Sequence, residues 1–409
     1  MWQSCSPHTR CIMSDSQVTI IGAGPSGLTL AWWLVEQGVS VTILERETAI
    51  PRDMRASTFH PATLDLLTES GLAATLIERG TVVPQWQYLI HESGERAVFD
   101  MAHLSEVTAH PFRLQCEQFQ LTELLAEKLA KEPLCELRLG ATLQSVIPGE
   151  SQVTVQYQSA GEDSVNVCDW LIAADGASSQ VRKSLGLDFD GQTFPKTSIT
   201  LVLEYPFEDD IPNLLGVNYV WLPDRHYSLM RLRNTWRLTY SPEQDQDIES
   251  ALSDAVAQTY IARVSPRASG TAILTRNYYT LHQRCLARFC HGRTLFIGDA
   301  AHLNSPAGGM GMNSGIHDAR SLADHLVPVI KGDDPLLLER YDRRRRTIAQ
   351  EEVQRLSARN YARHRETEAS KRMLIWNELQ EIVSDPVKHR DYLLDAAMIR
   401  SRQREKTIE

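Results

Sequence analysis

The sequence lacks the features of several large protein classes. Its 409 residues carry 42 Lys and Arg against 52 Asp and Glu, a formal net charge of −10, so the basic footprint of a nucleic-acid-binding protein is missing. Its longest apolar run, 28–35, is far shorter than the roughly 18 to 20 residues that span a bilayer. We therefore expect neither nucleic-acid binding nor stable membrane association.

Cysteine gives no sign of a metal or a disulfide framework. The seven cysteines are an odd, scattered set without a CxxC pair, so no metal site is predicted. Residues 1–12 lack the apolar segment of a signal peptide. Together these absences favour a reducing, cytoplasmic location, and we expect residues 1–14 to be a disordered leader.

The first organised segment has the pattern of a dinucleotide-binding βαβ unit. A β-branched run at 17–22 precedes a helical stretch at 26–37, and a second buried run then leads to Glu45 and Arg46. The connection reads Gly22-Ala23-Gly24-Pro25-Ser26-Gly27, whose glycines allow a tight turn and a close approach to a pyrophosphate at the helix N-terminus. Glu45 can accept hydrogen bonds from an adenosine ribose.

Two later motifs also follow buried runs. The first, Asp175-Gly-Ala-Ser-Ser-Gln-Val-Arg182, comes after the run at 170–174. The second places Gly298-Asp299 after a run from Thr294, and a small-residue segment, Pro306-Ala-Gly-Gly309-Met-Gly311-Met312-Asn313, then opens a helix.

In order and spacing, these motifs resemble the fingerprint set of the group A flavoprotein monooxygenases, the p-hydroxybenzoate hydroxylase-like family. The resemblance covers roughly residues 17–350 and implies non-covalent FAD with NADH or NADPH as co-substrate. It implies that Asp299, next to Gly298, holds the ribityl hydroxyls and that Asp175 serves the nicotinamide. The backbone of Gly309, Gly311, Met312 and Asn313 would face the flavin ring, where the positive end of a helix favours a reduced, anionic flavin.

The resemblance also implies two further FAD contacts. Arg55 matches an arginine near the pyrophosphate or nicotinamide path, and Gln118 matches a polar position at a helix start. Because the register is open, Arg113 and Gln115 are alternatives to Gln118.

The predicted fold is α/β: a Rossmann-like FAD-binding domain with a mainly parallel sheet, an antiparallel-sheet substrate domain and a helical C-terminal segment. The FAD-binding domain is expected to be discontinuous, and helices are expected at 62–79, 117–131, 313–330 and 335–385, followed by a polar, charged tail. The predicted boundaries are 15–85 with 105–182 and 280–330 for the FAD-binding domain, 86–104 with 183–279 for the substrate domain, and 331–409 for the C-terminal segment.

The function implied by the resemblance is hydroxylation of an aromatic or polycyclic small molecule with NAD(P)H and O2, through a flavin C4a-hydroperoxide. No nucleophile–base pair is evident, and none is needed because the cofactor carries the difficult step. By resemblance, Pro306 approaches the substrate. Further candidates to orient or deprotonate it lie in an aromatic- and arginine-rich stretch: Tyr219, Trp221, His226, Tyr227, Arg231, Arg233 and Tyr240.

Several alternatives stay open. A flavin enzyme of the same fold could be an epoxidase or an N-hydroxylase, and a non-catalytic FAD-binding protein could shield a reactive intermediate. The choice of NADH or NADPH, and of monomer or homodimer, is also open. The run 343–346 is interpreted as a solvated helix face, and His302 and His317 as histidines without metal-ligand companions.

Overall fold

The computed structural model describes residues 10–11, 16–52, 54, 56–194, 197–243 and 246–409. The strands that the structure describes all lie in the first three quarters of the chain. In chain order they are β1 (Arg10–Cys11), β2 (Val18–Ile21), β3 (Val41–Glu45), β4 (Thr58–Phe59), β5 (Thr81–Val83), β6 (Gln85–Ile90), β7 (Arg96–Asp100), β8 (Arg113–Gln115), β9 (Cys135–Leu139), β10 (Ala141–Pro148), β11 (Val153–Ser159), β12 (Glu162–Cys168), β13 (Trp170–Ala173), β14 (Asp190–Thr193), β15 (Ser198–Leu203), β16 (Val217–Trp221), β17 (His226–Arg231), β18 (Trp236–Tyr240), β19 (Ile273–Tyr279), β20 (His282–Cys285), β21 (Cys290–His291), β22 (Thr294–Phe296) and β23 (His302–Leu303).

Helices cover the sheets and make up the C-terminal part. In chain order they are α1 (Pro25–Glu36), α2 (Pro61–Glu69), α3 (Ala73–Arg79), α4 (Gln118–Leu129), α5 (Gln180–Ser184), α6 (Ile248–Ala251), α7 (Asp254–Val264), α8 (Gly311–Ile330), α9 (Leu336–Ile348), α10 (Arg355–Arg365), α11 (Ala369–Ser384), α12 (Pro386–Ala396) and α13 (Ile399–Glu405). Among the described residues, no helix is long and apolar enough to cross a membrane.

A mainly parallel sheet forms the centre of the nucleotide-binding part. Its strand order is β21-β22-β13-β2-β3-β9, and every pair is parallel except β21 with β22. Strands β2, β13 and β22 are fully buried, as strands covered on both faces must be. The crossover from β2 to β3 is α1, which begins with Pro25 at its first turn and ends just before Gly38, where φ is +81°. The predicted α/β fold is confirmed.

A second, seven-stranded sheet forms the other wall of the molecule. Its order is β19-β15-β18-β17-β16-β6-β7, and all pairs are antiparallel except β16 with β6. Strands β6 and β7 come from a segment more than 90 residues earlier in the chain than β15 and therefore bring early residues into a sheet that is otherwise late in sequence.

The N-terminal leader is described only in part. Arg10 and Cys11 form a two-residue strand parallel to β12, with Arg10 opposite Ser164. The rest of the predicted leader, 1–9 and 12–14, lies outside the described residues.

The helical predictions for the first and last parts of the chain need correction. The stretch 62–79 is divided into α2 and α3, because Gly71 adopts a left-handed φ of +67°. The stretch 335–385 is divided into three α-helices, and a π-helical turn at Ala349–Gln354 joins α9 to α10. The polar tail is also helical: α12 and α13 bury Leu393 and Ile399 against the second sheet and its neighbours, a face that sparse apolar residues did not reveal.

Candidate active site

A cavity of about 860 Å³ lies between the two sheets and the C-terminal helices. We call one part of it the nucleotide end: it is lined by residues 21–26, 44–51 and 174–178 with Asp299. We call the other part the aromatic end. Its rings come from the second sheet and the C-terminal helices: Trp86, Tyr88, Tyr219, Tyr240, Tyr279, Tyr361 and Tyr392.

The three glycines of the first motif have different structural roles. At Gly22, where φ is +105°, a Cβ would lie 2.5 Å from the Ala174 carbonyl oxygen, and at Gly27 it would lie 2.2 Å from the Gly22 oxygen. A Cβ at Gly24 would meet no protein atom within 4 Å. Gly22 and Gly27 are therefore required by the protein's own packing, whereas Gly24 leaves space at the cavity wall for a ligand.

The start of α1 is suited to binding an anion. Among the described residues, its N-terminus has no side-chain cap and no acidic residue in the first turn, so its backbone N–H groups and positive dipole end face the cavity. Glu45, only 8% exposed, accepts hydrogen bonds from the backbone nitrogens of Ala23 (2.7 Å) and Glu47 (3.0 Å). Arg46 beside it is exposed at the cavity wall.

The second motif, Asp175 to Arg182, connects the nucleotide end to the third motif, which contains Gly298 and Asp299. Asp175 lines the cavity, and burial raises the pKa of its carboxyl, although its Oδ2 accepts hydrogen bonds from the backbone of Gln180 and Val181. The guanidinium of Arg182 donates to the carbonyls of Ala177 (2.7 Å) and Ala300 (3.1 Å). Arg182 thereby fixes the position of Asp175 relative to the Gly298-Asp299 segment.

Three segments meet at the Ser26 hydroxyl. A Cβ at Gly298 would lie 2.6 Å from Ser26 Oγ, and a Cβ at Gly315 only 2.2 Å from it. Gly315 was not singled out from the sequence, although a glycine inside a helix is costly and usually has a packing reason. This close packing leaves Asp299 exposed to the cavity.

A buried ion-pair network supports Gly298 from behind. Asp318 Oδ2 accepts from the Gly298 nitrogen (2.9 Å) and lies 2.7 Å from His302 Nε2, while Arg345 Nε donates to Asp318 Oδ1 at 2.7 Å. Burial opposes ionisation of Asp318, but the charges of His302 and Arg345 outweigh it and hold its pKa well below the usual range. Arg345 also donates to Glu405 at 2.9 Å.

This network corrects the interpretation of the run 343–346 as a solvated face, because Arg345 is fully buried. The run alone could not show which of its arginines faces the core. His302 has a carboxylate partner, and no group of residues that could hold a metal is present in the described part of the chain. His317 contacts the Thr63 hydroxyl at 2.9 Å.

We call residues 308–311 the glycine loop. It lies where the nucleotide end and the aromatic end of the cavity join. Gly308 and Gly309 have φ of +98° and +68°, and both line the cavity with Pro306, Gly311 and Met312. Asn313 does not line it. Its buried side chain accepts from the His60 nitrogen and donates to the carbonyls of Thr58 and Gly309, so it positions the loop from below.

The FAD contacts inferred from resemblance are distributed as follows. Arg55 lies outside the described residues. Gln118 is the first residue of α4 and lines the cavity, as does Arg113. Gln115 does not; its Oε1 accepts from the Thr58 hydroxyl at 3.1 Å.

Only some of the predicted substrate residues face the aromatic end. His226 lines the cavity, and its ring centre lies 4.6 Å from that of His364. Tyr227 and Arg231 alternate with the cavity-lining Ser228 and Met230 on β17 and therefore point away.

The residues that point away have other partners. The Tyr227 hydroxyl bonds to His91 Nδ1 at 2.7 Å, and burial raises its pKa. Arg231 pairs with Glu208 at 3.3 Å. This geometry removes Tyr227 and Arg231 from the substrate-facing candidates. Trp221 also lies outside the cavity lining, with its indole N–H bonded to the His364 carbonyl, and Arg233 is exposed beyond β17.

Comparison with known proteins decides the family. The family model described as "FAD binding domain" matches residues 15–356. The chain belongs to this family. Para-nitrophenol 4-monooxygenase of Pseudomonas sp. (strain WBC-3) is 30% identical over 393 residues, 94% of this chain and 96% of that protein. The 12-dehydrotetracycline 5-monooxygenase/anhydrotetracycline 6-monooxygenase of Streptomyces rimosus subsp. rimosus is 32% identical, covering 81% of this chain and 67% of that protein.

A solved structure agrees with these relatives. The p-nitrophenol 4-monooxygenase PnpA from Pseudomonas putida DLL-E4 has a TM-score of 0.86 and 28% identity, and the match covers 94% of this chain and 97% of that one. The chain is accordingly an FAD-dependent monooxygenase of the aromatic hydroxylase type.

The residues at the nucleotide end fit FAD. The open space at Gly24 and the uncapped start of α1 suit a pyrophosphate. The carboxylates of Glu45 and Asp299 are hydrogen-bond acceptors for the sugar-like hydroxyls on its two sides. Gly308, Gly309 and Gly311 present backbone to the cavity, which suits the approach of a flat ring system.

Proposed function

We propose that this monooxygenase hydroxylates a compact phenol at the aromatic end, with NADH or NADPH as the electron donor and O2 as the oxidant. The observation that carries this proposal is the set of seven aromatic side chains that line the cavity. Para-nitrophenol 4-monooxygenase, named for a compact phenol, matches over nearly the whole of both chains, which supports a small phenol.

Bound FAD supplies the redox chemistry and the activation of O2, and the chain's own residues do the rest. The rings at the aromatic end would stack on the substrate and exclude water from the reacting carbon. Pro306 and the glycine loop separate that end from the nucleotide end. We propose that His226, which lies at the cavity wall, receives the phenolic proton of the substrate. We propose that the nicotinamide approaches near Asp175.

Oxygen incorporation tests this function. Purified protein is reconstituted with FAD and given NADH or NADPH, 18O2 and a panel of phenols that includes 4-nitrophenol, and the products are measured by mass spectrometry. We expect one 18O atom in a ring hydroxyl group and NAD(P)H oxidation that depends on the phenol. Label in an epoxide or on nitrogen would contradict hydroxylation, as would tightly bound FAD with no labelled product.

A further inference from the structure

The charged side chains that line the cavity are divided between its two ends. The described acidic residues in its lining, Glu45, Glu47, Asp175 and Asp299, all belong to the nucleotide end. The lining of the aromatic end contains arginines instead: Arg113, Arg237, Arg359 and Arg365. In a chain of net charge −10, this is a local concentration of positive charge around aromatic rings.

Arg113 is the unusual member of this group. It is only 3% exposed, yet the described part of the chain provides no hydrogen bond or ion pair to its guanidinium, and its Nε is buried without a partner. Its guanidinium lies over Trp86, whose ring centre is 4.2 Å from Arg113 Cζ. Cation–π contact compensates for only part of the desolvation of a buried charge, so the site is electrostatically incomplete.

Arg359 approaches the same rings from α10. Its Nε is also buried without a partner among the described residues, and its guanidinium carbon lies 5.3 Å from the ring centre of Tyr392. Trp86 and Tyr392 are neighbours, with ring centres 6.1 Å apart. The two guanidinium groups therefore flank one aromatic cluster that lines the cavity.

The position of Arg113 places this charge near the glycine loop. Arg113 is close enough to His60 to contribute, after burial itself, to lowering the pKa of that imidazole, and His60 Nε2 bonds to the Gly308 carbonyl at 2.8 Å. A ligand group bound to Arg113 would thus lie close to the glycine loop.

We infer that the substrate is an aromatic anion, whose negatively charged group is bound by Arg113 with support from Arg359. A carboxylate is the best match, because a guanidinium offers parallel N–H donors in a planar fork. This inference rests on the proposed function for the location of the substrate, but its test measures binding and does not require turnover.

Matched anionic and neutral ligands test the inference. FAD-loaded protein is titrated without reductant, following the flavin absorbance, with 4-hydroxybenzoate, 4-hydroxyphenylacetate and 4-hydroxycinnamate, each against its own carboxamide. We expect at least one carboxylate to bind at least tenfold more tightly than its amide. The variant Arg113→Met should weaken binding of that carboxylate at least tenfold and change binding of the amide less than threefold.

Two further variants separate charge from folding. Arg359→Met, at a half-buried position, should weaken the same carboxylate by about three- to tenfold, and it replaces Arg113→Met as the deciding variant if the latter does not retain FAD. Arg231→Met is the matched control, since Arg231 also packs over a ring, Trp236 at 5.3 Å, but outside the cavity; it should leave both affinities unchanged.

Equal affinity for every carboxylate and its amide, or an undiminished preference in the deciding variant, would overturn the inference. Hydroxylation of neutral phenols with no preference for anions would do the same and leave the proposed function intact. Tight, arginine-dependent binding of carboxylates without any oxygenated product would instead overturn the proposed function and support the anion site.

Discussion

The two ends of the cavity are built in opposite ways. The nucleotide end is made mostly of backbone: glycines, a helix start and a few acidic side chains at strand ends, many of them within 30 residues of one another. The aromatic end is made of side chains from β6, β8, β16, α10 and α12, which are spread over more than 300 residues. The comparison teaches that the end proposed for the cofactor is formed by local chain geometry, whereas the end proposed for the substrate is formed by tertiary assembly.

The strongest test of the backbone-built end compares two of its glycines. Gly27→Ala should abolish FAD retention, because its Cβ would lie 2.2 Å from the Gly22 carbonyl oxygen. Gly24→Ala should leave the unfolding of the FAD-free protein unchanged, because its Cβ meets no protein atom within 4 Å, and should weaken only FAD binding. Calorimetry of the FAD-free protein measures unfolding, and flavin fluorescence titration measures FAD binding. The same unfolding temperature and the same FAD affinity in both variants would contradict the different roles of the two glycines.

The ion-pair network behind Gly298 should have the next largest effect. Arg345→Met leaves Asp318 buried without its arginine and should lower the free energy of unfolding by about 3–5 kcal/mol. Arg343→Met is the control from the same run, since Arg343 is exposed and donates to the Glu409 carbonyl, and should change stability by less than about 0.5 kcal/mol. Urea denaturation measures both, and similar losses would contradict the assignment.

Asp299 tests the acidic character of the nucleotide end. Asp299→Ala should weaken FAD binding by about 1.5–3 kcal/mol, the value of a hydrogen bond to a charged group, which corresponds to roughly 10- to 150-fold in Kd. Asp324→Ala, an exposed acid on α8 that pairs with Arg320, should leave the Kd unchanged. Unaltered FAD affinity in Asp299→Ala would mean that the cofactor does not reach this strand end.

Acid should destabilise the aromatic end through a half-buried histidine, His364. Burial, with the charges of Arg365 and Arg372, lowers the pKa of His364 to about 3, below the unfolded value of about 6.5. The neutral form therefore contributes fully above pH 6.5, and the free energy of unfolding falls as the pH decreases toward 3, by up to about 1.4 kcal/mol per pH unit. Urea denaturation between pH 7 and 4.5 should show a shallower decrease for His364→Gln.

The matched control for this pH dependence is His291→Gln. In the unaltered protein, His291 lies outside the main cavity and its imidazole bonds to the Arg288 carbonyl. It should reproduce the pH dependence of the unaltered protein. An unchanged slope in His364→Gln would show that this imidazole is not held neutral.

The sequence by itself determined the nucleotide end. A strand, a helix and a strand that are adjacent in the chain form one βαβ unit, so Gly24, Glu45 and the start of α1 could be placed from their spacing alone. Through the family resemblance that they carry, the later motifs predicted a common site for Asp175 and Asp299, and both line the same cavity. These features depend on contacts within elements and on the rules of parallel sheets, which act over short stretches of chain.

Only the tertiary structure decided the aromatic end and its supports. Arg345 and Arg343 are equivalent in a run of four arginines until α9 packs against Asp318, and Tyr392 belongs to a polar tail until α12 brings it to the cavity. The packing of the second sheet decides which side of β17 faces the cavity. That packing turns Tyr227 and Arg231 away from the cavity and places His226 at its wall. Arg113 became informative only once it was seen to be buried without a carboxylate partner, because burial and pairing are properties of the assembled fold.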